Sequence, residues 1–240
     1  MWRVLLIAAA VTVVGLTSAC STTVDGTPKA ERSQPPAPAT GTPAAPAATG
    51  VGEQQLDGLL LPLDDVRAIM AAPELEVHDN YAQMPPSTAG YVPEDCVRAA
   101  FNTVEPGYRD SKFVAIRGVV MQEPDSSAEL SHIVDQGVVT FPDEAAANTY
   151  VTRTIEAWRR CAGTPFTVLR PEAAEHWTFG DVTESNGISA IPKTGDGSEW
   201  SCSHAITARA NAVVDVSACG FSITDQATTI AGRIRDKFPA

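Results

Sequence analysis

The hydrophobic positions of this chain fall into three regimes. Val4 to Leu16 is an almost unbroken apolar run, residues 21–55 have no periodicity, and from Leu56 onward apolar positions recur at helix and strand spacing. Leu56, Leu59, Leu60, Leu61 and Leu63 lead into a short helix ending at Met70, with Asp64 and Asp65 at its positive end. Residues 112–122 and 130–141 are rich in β-branched residues and apolar on both faces, and the polar stretch EPDSSAE joins them as a hairpin inside a covered sheet. Pro142-Asp143 opens a helix running to about Arg160, with Ala147, Tyr150, Val151, Thr154 and Trp158 on one stripe. Strands are expected at 165–169 and 176–183, then a Gly-rich loop at 194–198 and a second hairpin, 200–209 with 212–219. Ser222 and Asp225 form a capping box for a last helix whose Ala227, Ile230, Ile234 and Phe238 share a face. The order helix, strands, helix, strands, helix predicts an α+β fold, an antiparallel sheet flanked by helices.

The first apolar run is too short to span a bilayer's ~30 Å hydrocarbon core as a helix, and follows Arg3, so 1–19 reads as a signal peptide. Thr17-Ser18-Ala19 ahead of Cys20 resembles the lipobox of bacterial lipoproteins, although leucine is commoner where Thr17 stands. That resemblance implies cleavage before Cys20 and acylation of its thiol (diacylglycerol, palmitate). Two acyl chains suffice for stable anchoring without a transmembrane helix. Residues 20–55, with Pro28, Pro35, Pro36, Pro38, Pro43 and Pro46, bury too little apolar surface to fold and are expected to form a solvated tether. One domain, 56–240, remains.

Cys20 leaves Cys96, Cys161, Cys202 and Cys219. If residues 210 and 211 form the tip of the last hairpin, Arg209 faces Ala212, and seven steps further Cys202 faces Cys219. That is a non-hydrogen-bonded pair, where two backbones come within disulfide reach. Trp200 and Phe221 then oppose each other beside the bond. Of the three pairings open to four cysteines, this register favours Cys202–Cys219 with Cys96–Cys161. A zinc site would need close C-x-x-C pairs, which are absent.

The net charge is -12, and loss of Arg3 with the leader makes it -13 (-12 less one positive charge), which argues against nucleic acid and against a basic membrane patch. His78, His132, His176 and His204 form no close ligand pair, and His132 and His204 read as satisfied within strands. In the hairpin register His204 opposes Ser217, with Asp215 diagonal. Asp215 is expected beside the serine rather than behind the histidine, and no oxyanion site is evident, so the trio reads as a surface polar cluster and not a hydrolase. Trp158 is assigned to the core, and Trp177 and Trp200 are candidates to line a cleft. No cofactor motif occurs.

The segments LLLPLDDVRAIM, DCV, FVAIRGVVMQEP, VVTFPDEAAA, WRRCAG, WTFGDVT, WSCSHAITARANAVVDVSACG and TDQATTIAGRI together resemble the PknH-like extracellular domain over residues 56–240, with W-x-x-C-A-G and D-V-S-A-C-G flanking cysteines. That family is the external sensor domain of a mycobacterial serine/threonine kinase and also occurs alone in lipoproteins. The resemblance implies an α+β domain with two disulfides, paired as above, and a broad cleft for an unidentified ligand. The kinase and its membrane helix are not expected here, the lipid anchor standing in their place. The sequence therefore predicts a non-enzymatic envelope lipoprotein on the outer face of the cytoplasmic membrane. Its partners would be a small-molecule, lipid or cell-wall ligand, or an envelope protein, with no cofactor or metal. Ligand-binding residues are not identified.

Overall fold

The computed structural model of the chain describes residues 50–124 and 130–239. The expected signal peptide, Cys20 and most of the tether lie outside the described residues, as does the centre of the first hairpin loop. The folded body begins before Leu56, the boundary expected from the sequence. Val51 is buried because the Asn211 side chain holds both its amide (2.7 Å) and its carbonyl (3.2 Å). A 3₁₀ turn over Glu53–Gln55 then leads into α1 (Leu56–Leu59) and α2 (Leu63–Met70).

There follow β1 (Glu76–Tyr81), β2 (Gly90–Val92), α3 (Val97–Ala100), α4 (Glu105–Tyr108), β3 (Ala115–Gln122), β4 (His132–Thr140) and α5 (Glu144–Cys161). The chain continues through β5 (Pro165–Leu169), β6 (Ala174–Phe179), β7 (Thr183–Ser185), β8 (Ile188–Gly195), β9 (Ser201–Arg209), β10 (Ala212–Gly220) and α6 (Gln226–Arg235). The ten strands form one antiparallel sheet in the order β1-β3-β4-β10-β9-β8-β6-β5-β2, with β7 paired to β8 off this path.

Alternation along the central strands supplies two cores. Val134, Val138, Ala205, Val214, Val216 and Ala218 face α1, α2 and α6, whose Leu56, Val66, Ile230 and Ile234 complete one layer. Ile116, Val139, Ile191, Ile206 and Val213 face α3 and α5, where Trp158 is fully buried. The last hairpin has the expected register, with Arg209 opposite Ala212, His204 opposite Ser217 and Cys202 opposite Cys219. Trp200 and Phe221 meet edge to face at 5.2 Å beside that bond.

Three expectations change. The strand expected over 176–183 is two strands, β6 and β7. The stretch between it and the Gly-rich loop is β8, a full sheet member despite Pro192, whose carbonyl accepts from the Gly180 amide (2.9 Å), so that its missing amide falls on the side away from β9. The capping box does not form: Asp225 is the N-cap residue, but its side chain makes no cap bond. Instead the Gln226 side chain accepts from the Thr224 amide (2.7 Å) and donates to Ser222 O (3.3 Å). The central helix does have its cap, since Asp143 Oδ1 accepts from the Ala146 amide at 2.8 Å.

Candidate functional site

Two disulfides fix the walls of the α5 side of the sheet. Cys96, just ahead of α3, is bonded to Cys161 at the end of α5, and Cys202 is bonded to Cys219 across the last hairpin. The first bond and the Trp158 Nε1 hydrogen bond to Arg98 O (2.7 Å) clamp α3 onto α5. The chain leaving α3, residues 101–104, is thereby pressed against the sheet, carrying Asn102 and Thr103 into the interior.

These two residues join a hydrogen-bonded network that runs across four strands. Tyr81 OH donates to Asp135 Oδ1 (2.6 Å) and lies 2.6 Å from Thr103 Oγ1. Asn102 Nδ2 donates to Thr103 Oγ1 (3.1 Å) and Asp135 O (3.1 Å). The Thr103 amide (3.1 Å) and Tyr108 OH (2.7 Å) both donate to Asp215 Oδ2. His204 Nε2 lies 2.5 Å from Asp215 Oδ1, and His204 Nδ1 lies 3.2 Å from Ala99 O. A carbonyl only accepts, so Nδ1 is the donor in its contact with Ala99 O.

Glycines make room for this network. Gly118 and Gly137 oppose each other on β3 and β4, on the network's face. A Cβ at Gly118 would stand 2.0 Å from Tyr81 Cζ, and one at Gly137 would stand 2.5 Å from Thr103 Cγ2. Burial raises the pKa of Asp135, Tyr81 and Tyr108. It pushes the Asp135 carboxyl up to about 7, against the hydrogen bonds from Tyr81 and Asn102 and with the Asp215 charge adding to the rise. The Tyr81 and Tyr108 phenols are likewise raised, by burial first and then by the neighbouring aspartates.

Above the network is a cleft of about 230 Å³. Its lining includes Asp135, Asn102 and Thr103 together with Tyr91 of β2, Phe101, Val168 of β5 and Arg170 just after β5. Tyr91 stacks on the fully buried Phe166 (5.9 Å, 13° between planes) and tilts against Phe101 at 5.6 Å, so its ring is fixed from behind. Its hydroxyl is hydrogen-bonded to Ser87. A groove of about 450 Å³ between α3 and α5 is larger, but it is lined by solvated charges of both signs, including Arg109 within 3.8 Å of Glu94.

The residues singled out in the sequence are distributed as follows. The Ser217–His204–Asp215 trio is not a surface cluster: His204 is 3% and Asp215 2% exposed, because α3 and α4 cover them. Asp215 bonds the histidine directly, contrary to the expected arrangement. Both ring nitrogens are engaged, and Ser217 Oγ instead lies 3.8 Å from Cys219 Sγ, so the serine has no base. Trp158 is core, with its ring 4.6 Å from His204. Trp177 and Trp200 do not line the cleft; its aromatics are Tyr91 and Phe101. His132 Nδ1 pairs with Glu123 Oε1 at 2.7 Å, and His176 Nδ1 lies 3.1 Å from Thr167 Oγ1. Burial works to raise Glu123, but the His132 ring and the His132 and Ser131 amides outweigh it and hold it below its usual value. Among the described residues no three His, Cys, Asp or Glu side chains gather as a metal site.

Lys193 was not anticipated. It is 5% exposed, donates to Ala100 O at 2.5 Å, and holds its ammonium 4.1 Å from the Phe101 ring and 4.7 Å from that of Trp177. Burial pulls it down to about 7. It secures the C-terminus of α3, and with it the residues that enter the cleft.

Comparison with known proteins agrees with this architecture. The PknH-like extracellular domain matches residues 51–237. The serine/threonine-protein kinase PknH of Mycobacterium bovis is 33% identical over 237 residues, 98% of this chain and 37% of that protein. PknH of Mycobacterium tuberculosis is 35% identical over 78% of this chain and 30% of its own length, and PknJ of M. tuberculosis is 29% identical over 69% and 29%. The chain thus spans about a third of the length of these relatives. The crystal structure of the extracellular domain of PknH from M. tuberculosis superposes with a TM-score of 0.76 at 33% identity, covering 80% of this chain and 98% of that one. The matched part of PknH is its extracellular domain and not a catalytic one, and among the described residues of this chain no helix is long and apolar enough to cross a membrane. With the family's match running from the buried Val51 to Lys237, this chain belongs to the PknH-like extracellular domain family.

Proposed function

We propose that this chain is an envelope lipoprotein, held by acyl groups on Cys20 at the outer face of the cytoplasmic membrane, whose PknH-like domain binds a small ligand in the Tyr91–Phe101 cleft and catalyses no reaction. The observation that carries the binding reading is the floor of that cleft. Asp135 is held in one orientation by Tyr81 and backed by a network reaching His204, which is the arrangement of a pre-organised polar anchor between apolar walls. The lipid anchor rests on the leader sequence and the Ser18-Ala19-Cys20 stretch.

Thermal unfolding of the full-length chain with fractionated envelope lipids and peptidoglycan fragments tests the binding. A ligand at a hundred times its Kd adds about 2.7 kcal/mol of stability. A fraction that raises the melting temperature of the wild type, but not of Ala89→Trp, which fills the cleft, supports the reading. No shift from any fraction removes it. Mass spectrometry of the mature N-terminal peptide tests the anchor: an unacylated Cys20 thiol would remove that part alone.

A second reading, a module that docks an envelope protein, is favoured by the outer edge of the sheet. Val92 of β2 is 54% exposed and Leu169 of β5, opposite Gly90, is 46% exposed, leaving apolar side chains in solvent at this edge. Crosslinking on intact cells that captures no protein through that edge would eliminate it.

A further inference from the structure

We propose that the ligand of the Tyr91–Phe101 cleft is a neutral carbohydrate, one or two sugar rings seated with a C–H face on the aromatic wall and hydroxyls on Asp135. This rests on the reading that the cleft is the binding site and adds the class of molecule it takes.

Charge sets the first limit. Among the described residues only two charged side chains, Asp135 and Arg170, line the cleft, and Arg170 is already paired to Glu175 at 2.5 Å. Asp135 is pushed up to about 7 by burial, so near neutrality it holds a proton part of the time. The site has no unmatched charge to offer an ion, and a chain of net charge -12 repels polyanions and anionic headgroups.

The lining sets the second. An acyl chain or other purely apolar ligand would strip water from Ser87, Asn102, Asp135 and Arg170, whose partners within the protein do not use all of their hydrogen-bonding capacity, and would give them nothing in return. A small polar ligand without an apolar face would leave Tyr91 and Phe101 unused. The Tyr91 ring cannot retreat from the cleft, because Phe166 is stacked behind it and is itself fully buried. A sugar ring satisfies both halves. Its C–H groups carry partial positive charge and suit the negative face of an aromatic ring, and its hydroxyls donate to a carboxylate already fixed by Tyr81.

Isothermal titration of the full-length chain with glucose, galactose, mannose, arabinose, N-acetylglucosamine, maltose and chitobiose tests the inference. At least one should bind with a Kd in the millimolar range or tighter. Tyr91→Ala should weaken it tenfold or more, while Phe221→Ala, at the far end of β10, leaves it unchanged. A sugar bound equally well by Tyr91→Ala would overturn the placement and with it the proposal. If no sugar binds, amide NMR shifts with spermidine, inorganic phosphate and decanoate separate two failures. Shifts at Tyr91 and Asp135 with one of these would overturn the carbohydrate and leave the cleft as a binding site; no shifts with any probe would overturn both.

Discussion

The ring of Tyr81 lies against Gly118, so close that a Cβ on that glycine would stand 2.0 Å from Cζ. Tyr81 comes from the edge strand β1, Gly118 from the neighbouring β3, and the missing side chain is what lets the phenol cross the sheet to Asp135 and Thr103. Gly118→Ala should therefore lose both hydrogen bonds and overpack the site, destabilising the domain by about 2–4 kcal/mol in urea unfolding. With Tyr81→Ala already present, Gly118→Ala should cost little, since the obstacle is gone. Equal costs in both backgrounds would show that the two residues are not coupled.

Asp135 makes stability depend on pH. Its folded value is raised to about 7 from an unfolded value near 3.9, so the folded state holds the proton more tightly. The associated stabilisation is complete below about pH 4 and is lost as pH rises through about 7. Asp135→Asn keeps an acceptor for Tyr81 and cannot ionise. Its melting temperature relative to wild type should climb from pH 5 to about pH 7 and then level off; a constant difference over that range would show that Asp135 does not titrate there.

Lys193 works in the opposite sense. Its folded value is depressed to about 7 from about 10.4, so the unfolded chain binds the extra proton and stability attributable to it grows from about pH 7 toward pH 10. Against Lys193→Met, wild type should gain in urea unfolding between pH 6 and pH 9, and parallel curves would contradict this. The variant should also loosen the residues that leave α3, read as faster amide exchange at Asn102 and Thr103, because it loses the bond to Ala100 O.

The two disulfides should differ in worth. On chain entropy, Cys96–Cys161, with its ends 65 positions apart, contributes about 4 kcal/mol, and Cys202–Cys219, 17 positions apart, about 3 kcal/mol. Replacing each pair by alanine and comparing unfolding midpoints checks the order. Loss of the longer bridge should in addition release α3 from α5 and slacken the cleft, which loss of the hairpin bridge should not.

Much of the sheet was legible because its central strands have apolar residues on both faces. The last hairpin could even be put in register from its cysteines, since seven steps from the Arg209–Ala212 pair leads to Cys202 and Cys219. β1 was not legible. As an edge strand it exposes every residue up to Asn80 and shows no alternation. β8 was hidden by Pro192 in its middle. The polar cluster was half legible for the same kind of reason: register made His204, Asp215 and Ser217 neighbours, but nothing in the sequence put Ala99 and Tyr108 on top of them. The cleft was not legible at all. Its walls come from β2, the residues after α3, β4 and β5, and Asp135 looks like any polar strand residue until Tyr81 is laid across the glycines.

The clasp between Val51 and Asn211 also decides where a pull on the chain is felt. It delivers the backbone to the turn of the β9–β10 hairpin, in the middle of the sheet, while Asp135 sits five residues along β4 from the strand end beside that turn, ~17 Å away. Tension applied at Val51 would load the central hairpin lengthwise, in shear against its rungs, with Cys202–Cys219 as the backstop at the other end. A pull at Val51 is therefore taken up by the hairpin rather than by the floor of the cleft.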